Sequence, residues 1–282
     1  IVRIAGTGKN QKVDTEVFKR YDRRIARGGI IMSKLYPDIS HHHPVKDWNK
    51  IENNCPFIIT KATQGTTFVD SALKKIISEC EKRKIPYWLY TYLDKGDELS
   101  QAKFMVNTCK KLIGKYFVGY ILDVECGNKA GNVQKALDYI EGLGYKCGIY
   151  HMYADYASYR TVISKRGSNT FWWEARYGRN NGTYSSKYPC HRGVDLHQFS
   201  DKCTCPGISD KIDLNRITGQ GKNETWFCTP LGKGNKKKSN TEIAKEVQSG
   251  KWGNGAERKK RLEAAGYDYN AVQKIVNKMC KK

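Results

Sequence analysis

No stretch of this chain approaches the roughly 18–20 consecutive apolar residues that a membrane-crossing helix needs, so insertion in a membrane is not expected of it. Paired CxxC fingers and an RNP-like aromatic strand are both missing, which argues against a nucleic-acid partner. A Ser-His-Asp constellation, a Gly-rich phosphate loop and an HExxH pair are absent too, leaving no motif for a cofactor or a metal. The basic N-terminus carries no apolar core of a secretory signal, so no Sec signal is visible. Cysteine is sparse for a stapled scaffold: ten among 282 residues, irregularly spaced. Cys80, Cys109 and Cys147 fall within apolar periodic segments, where a free thiol acts as a small hydrophobe. A reduced, cytosolic origin is the simpler inference.

Acidic residues are also scarce, 28 against 50 basic ones, for a formal charge of +22. About two thirds of that excess lies in residues 1–31 and 221–282. Such a balance suits a polyanionic partner: nucleic acid, an anionic membrane, or the phosphate-bearing polymers of a bacterial wall.

After a basic, weakly periodic extension (1–31), apolar β-rich runs alternate with helical patterns. PFIITKAT (56–63), PYWLYTYL (86–93), YFVGYILDVE (116–125), YKCGIYHMY (145–153), TFWWEARYG (170–178) and GVDLHQFS (193–200) read as strands. Segments 70–84, 96–114 and 130–144 between the earlier ones have apolar residues at helical spacing. This order predicts an α/β fold over residues 32–218, an irregular (β/α) barrel because the later strands come without long helices. A Gly-, Lys- and Asn-rich linker (219–240) precedes a small C-terminal bundle of three helices, Ile243–Ser249, Ala256–Ala265 and Tyr269–Met279, within 241–282.

In GYILDVECG (119–127) alternation puts Asp123 and Glu125 on one strand face and Val124 on the other. Exposed, the pair is an ordinary solvated edge; in a cleft, each would push the other's pKa. Asp38, in LYPDIS, and Asp213, in KIDLN, are the other acids at the ends of apolar runs. Barrel sites gather at the carboxyl ends of strands. Four acids converging there would suffice for glycosidic hydrolysis, which needs a proton donor and a second stabilising group. Tyr90, Tyr92, Tyr150, Trp172, Trp173 and Tyr177 lie at or near the same ends, where flat rings can pack on pyranose faces, although strand aromatics also simply fill cores. In WWEARY, Trp172 and Trp173 face opposite ways, so at most one lines a cleft. The run His41, His42, His43 diverges in direction and suits capping, stacking or hydrogen bonding better than one metal ion.

Taken in order, YPDIS with DWNKI, FIITKATQGTTFVD, YWLYTYL, DVE, WWEARYG, LHQFS and GISDKIDLN resemble glycoside hydrolase family 25, the N-acetylmuramidases, over residues 34–218. The resemblance implies an irregular (β/α) barrel, no cofactor, and cleavage of the β-1,4 bond between N-acetylmuramic acid and N-acetylglucosamine in peptidoglycan. It implies Glu125 as general acid and Asp123 as the group that orients or stabilises the reacting sugar, with Asp38 and Asp213 matching the other acids of the cleft. Tyr90, Tyr92, Tyr150, Trp172, Tyr177 and Gln198 are the expected substrate contacts. The sequence departs from the family at Gln64, often an acid, and at His41 and His197, where tryptophan is common. AKEVQSGKWGNGAERKKRLEAAGYDYNAVQKIVN resembles the three-helix wall-binding repeat of certain phage endolysins, with Trp252, Asn254, Arg258, Arg261 and Tyr267 as candidate contacts. The expectation is a monomeric phage endolysin that waits in the host cytoplasm, or a virion-associated enzyme. A wall-binding protein without activity on the same scaffold is the alternative.

Overall fold

The computed structural model describes residues 34–230, 239–264 and 267–280. The expected N-terminal extension, 1–31, lies outside the described residues.

Eight strands close into a barrel: β1 (Tyr36–Ile39), β2 (Ile58–Gln64), β4 (Tyr87–Tyr92), β5 (Phe117–Asp123), β6 (Lys146–Met152), β7 (Thr170–Ala175), β8 (Leu196–Cys203) and β9 (Ile212–Ile217). A two-residue strand, β3 (Phe68–Val69), adds to β2 as a hairpin. Every neighbouring pair from β1 through β2 and β4 to β8 is parallel, whereas β9 runs antiparallel to both β8 and β1 and closes the ring. The helices are α1 (Trp48–Asn54), α2 (Leu73–Arg83), α3 (Glu98–Cys109), α4 (Ala130–Gly142) and α5 (Tyr156–Ser164). The expected irregularity is real but begins later than the sequence suggested. Helix α5 still separates β6 from β7, and of the connections between barrel strands only those from β7 to β8 and from β8 to β9 lack a helix.

Each helix offers one apolar stripe. Leu73, Ile76, Ile77 and Cys80 of α2, and Val133, Ala136, Leu137 and Ile140 of α4, are the buried residues of their helices. They pack on outward strand residues such as Leu89, Tyr120, Leu122, Val124 and Trp172, a core layer that also takes Cys80, Cys109 and Cys147. The opposite parity fills the barrel with Phe57, Ile59, Trp88, Ile121, Tyr150, Phe171 and Trp173. Strands buried on both faces read as continuous apolar runs, and all seven residues of β5 are buried. Two glycines make room for this interior. A Cβ on Gly119 would come within 2.6 Å of the Trp88 ring, and one on Gly148 within 2.2 Å of the Phe171 ring.

Residues 219–230, expected as the start of a linker, instead finish the barrel. Asn223 caps α6 (Glu224–Cys228) by accepting from the Trp226 amide. Phe227, fully buried, enters the barrel at the amino ends of the strands, with ring centroids 5.3 Å from Phe57 and 5.0 Å from Phe171. Trp88 Nε1 donates to the Phe227 carbonyl at 3.0 Å, and Lys146 Nζ donates to the carbonyls of Trp226 and Thr229 at 2.7 and 2.8 Å. These bonds satisfy carbonyls that a five-residue helix cannot satisfy itself. The composition of the segment hid this, since ETWFC is short and its flanks are rich in Gly, Lys and Asn.

The C-terminal segment forms α7 (Asn240–Gln248), α8 (Gly255–Ala264) and α9 (Tyr269–Met279), close to the expected trio. Ser239 and Glu242 make a capping box at α7. Ile243, Ala244, Val247, Leu262, Val272 and Val276 form a core of their own.

Phe227→Ala should lower the stability of the barrel by about 3–5 kcal/mol, the usual cost of deleting a buried aromatic. Urea unfolding followed by tryptophan fluorescence measures it, and an unchanged midpoint would show that α6 is no part of the core.

Candidate active site

At the carboxyl ends of the strands, the inward parity brings polar residues where the lower layers are apolar. Asp38 of β1 lies opposite Asp213 of β9 in the antiparallel register. Asp123 ends β5 beside Tyr92 of β4 and Tyr150 of β6. Val124 belongs to the outer core and Glu125 stands exposed at the rim, so the face shared by Asp123 and Glu125 is the one turned to the mouth.

Gln198 of β8 ties this ring together. Its Nε2 donates to Asp38 Oδ2 at 2.9 Å, while its Oε1 accepts from the hydroxyls of Tyr150 at 2.8 Å and Tyr177 at 2.7 Å. The three bonds fix which end of the amide faces which partner. Trp173, whose centroid is 4.4 Å from that of Tyr150, donates from Nε1 to Asn215 on β9. Tyr90 sits close enough to Asp38, Asp123 and Asp213 for their charges, after burial, to push its hydroxyl far up.

The carboxyls hold protons unusually well. Burial, then Asp213, Asp123 and Glu125, raise Asp38 well above the ordinary carboxylate range, with the Gln198 amide opposing. Asp123 is raised likewise, by burial and then Glu125 and Asp213. Asp213 is pushed up to about 7, by burial first and then by Asp201 and Glu125. Partial desolvation at the rim raises Glu125 as well, opposed by the Tyr150 hydroxyl and Lys61 and assisted by Asp155. One buried oxygen, Asp123 Oδ1, has no hydrogen-bond partner among the described residues. Acids this crowded cannot all ionise together, so the mouth keeps protons available near neutral pH. Glu125, being exposed, can hand a proton to a ligand.

Lys61 is the mouth residue that sequence reasoning missed. It points inward near the carboxyl end of β2, paired in register with Tyr90, and opposes the raised pKa of both Asp123 and Glu125. Its Nζ donates to Gln64 Oε1 at 2.8 Å, and Gln64 donates on to Asp94 at 3.2 Å. The available signal was a lysine breaking the apolar run FIITKAT at the same strand end as the acids.

Other expected residues divide. Tyr92 reaches the mouth, where its hydroxyl is 3.2 Å from the sulfur of Cys126. Trp172 does not line the mouth. The register of β6 with β7 sets Tyr150 beside Trp173, so Trp172 faces outward, bonds His151 Nε2 and stacks on Tyr156. Of the histidine run, His41 is bonded to Asp70 at 2.8 Å and its ring is tilted against that of His42, 3.8 Å away between centroids. In the C-terminal bundle Trp252 donates to Glu246 and meets Tyr267 edge-on. Arg258 bonds Asn254, Gly253 and Gln273, and Arg261 bonds the Lys251 carbonyl, so these candidates share one neighbourhood and brace it.

A carboxylate-lined mouth on a closed barrel, with one exposed acid among proton-holding neighbours, is an arrangement suited to acid-assisted cleavage of an acetal bond. Comparison with known proteins agrees: the model of the glycosyl hydrolases family 25 matches residues 37–208, and the chain belongs to that family. The CW_7 repeat matches residues 241–280. The chain is 27% identical over 232 residues to a lysozyme of Streptococcus phage Cp-7, covering 78% of this chain and 62% of that protein. It is 25% identical over 177 residues to an autolytic lysozyme of Clostridium acetobutylicum, covering 61% of this chain and 52% of that protein. It thus spans less than two thirds of either relative. Among solved structures, the catalytic domain of an endolysin from bacteriophage P40 of Listeria monocytogenes superposes with a TM-score of 0.59 at 27% identity, covering 68% of this chain and 96% of that one.

The raised pKa of Asp213 makes stability depend on pH. Its contribution is present in full below the ordinary carboxylate pKa of about 4 and is lost as the pH rises through about 7. Asp213→Asn should therefore match the parent protein in urea unfolding at pH 4 and exceed it at pH 8, by about 1–2 kcal/mol after allowance for partial exposure. An equal difference at both pH values would contradict the assignment.

Proposed function

We propose that this chain is a peptidoglycan hydrolase that cleaves the β-1,4 bond between N-acetylmuramic acid and N-acetylglucosamine. The observation that carries the reading is the convergence of Asp38, Asp123, Glu125 and Asp213 on one mouth, where all four carboxyls are shifted toward the protonated form. Glu125 delivers its proton to the glycosidic oxygen as the bond to the leaving sugar breaks. Asp123 orients or stabilises the sugar on which positive charge develops, aided by its unpartnered Oδ1 and by the Lys61 cation, which favours its ionised form. Asp38 and Asp213 complete the acidic wall, and Gln198 holds Asp38 and the two tyrosines in register.

The family places the reaction among glycoside hydrolases, and the two curated relatives are both named lysozymes. The C-terminal repeat supports a modular plan: a catalytic unit, a tether, and one wall-binding bundle that uses Trp252, Asn254, Arg258, Arg261 and Tyr267. A single weak anchor raises the local concentration of the catalytic unit on a polymer without new contacts at the mouth. The basic ends suit an anionic wall. Among the described residues no helix is long and apolar enough to cross a membrane. An endolysin acting as a monomer is the setting that fits these features together.

Glu125→Gln tests the reading. With the general acid gone, release of reducing ends ending in muramic acid from purified walls should fall by about 100-fold or more, while wall binding by the full chain persists. Product mass spectrometry reads the bond cleaved. Unchanged lysis by the variant would remove Glu125 from the role, and a wild-type protein that binds walls without cutting them would favour the binding-only alternative.

A further inference from the structure

Three large hydrophobic side chains are exposed among the described residues: Phe68, at 42%, Val69, at 41%, and Tyr184. The first two are the whole of β3, the hairpin strand paired antiparallel with the end of β2. Phe68 does nothing for either core, as neither barrel cluster includes it. Its surroundings run without a break into the mouth. Lys61 Nζ lies 5.6 Å from the Phe68 centroid and 5.3 Å from that of Tyr92, and the Tyr92 hydroxyl touches Cys126, next to Glu125. The His41 ring stands 6.0 Å from that of Phe68 between centroids, tilted to it, and is held by its bond to Asp70.

We propose that Phe68 is a stacking subsite for a sugar ring of the glycan strand lying beyond the pair that is cleaved, an inference that rests on the peptidoglycan reading above. The ring is flat, accessible and braced by Lys61 and His41, so little is lost in ordering it when a ligand arrives. Aromatic faces take up the apolar C–H face of a pyranose while the equatorial hydroxyls stay in water. Polar Thr66 and Thr67, both exposed, lie immediately before Phe68 at the hairpin tip. Two adjacent side chains are far too small an apolar patch for a protein partner, whereas one sugar fits one ring. Lys61 and Tyr92 stand between Phe68 and the carboxylates, which puts the stacked sugar outside the bond being broken and ties its contribution to chain length.

The test uses the full chain carrying Glu125→Gln, so that ligand survives, and measures affinity by calorimetry for N-acetylglucosamine–N-acetylmuramic acid oligosaccharides from two to eight sugars. Adding Phe68→Ala should weaken the octasaccharide about tenfold and leave the disaccharide within twofold, while Phe68→Trp keeps the long-chain advantage. An unchanged thermal midpoint for the alanine variant shows that the fold is intact. Equal affinity with and without Phe68 at every length, or an equal loss at every length, overturns the subsite. Hydrolysis by the parent chain is assayed separately: a parent that cleaves nothing defeats the hydrolase reading, while the length dependence of binding still decides the subsite.

Discussion

The antiparallel pairing of β9 with β1 is the contact on which the rest depends. It is the seam that closes the barrel, and the same register sets Asp38 against Asp213. Closure and acid placement are therefore a single structural event. A sheet left open there would leave two edges of unpaired backbone and would place two of the four carboxyls in solvent, where their mutual repulsion would be screened and their protons lost at an ordinary pH. Gln198 reaches Asp38 across the intervening β9, and it can do so because β8 and β9 hold the ring at that circumference.

Toward the carboxyl ends of the parallel strands the barrel is polar, toward their amino ends aromatic, and the change occurs within a few residues. β4 shows it in three inward steps: Trp88 in the packed interior, Tyr90 among the carboxyls, Tyr92 at the rim. The packed floor makes the charged mouth tolerable, since rigid aromatic packing keeps like charges together that would otherwise move apart. Lys61 supplies an inward cation to this mouth, positioned by Gln64 rather than by a carboxylate. A glutamine at that position bonds the lysine without neutralising it, leaving its field directed at Asp123 and Glu125.

Much of this was legible in the chain because strand periodicity is strict. The alternation of GYILDVE correctly opposed Val124 to Asp123 and Glu125, and the order of apolar runs supplied most of the barrel strands. What alternation alone could not supply was absolute parity. TFWWEA opposes two tryptophans whichever way the strand faces, and only its pairing with Tyr150 decides that Trp173 is the inward one. Lys61 escaped notice because a lone lysine in a strand suggests an edge, whereas here a mouth accommodates it. Helix α6 escaped because five residues carry no period. Its role is set by contacts with Trp88 and Lys146, more than 75 residues earlier in the chain.

The floor supplied by α6 has a consequence for how this molecule can be taken apart and recombined. The family match ends at residue 208, before β9, yet the barrel draws its last strand and its plug from residues up to Thr229. A chimera joined at the edge of the family match would lack both the closing strand and the base of the interior. The natural joint for exchanging the anchoring module lies after Thr229. During synthesis, likewise, the barrel cannot complete itself until that stretch has left the ribosome.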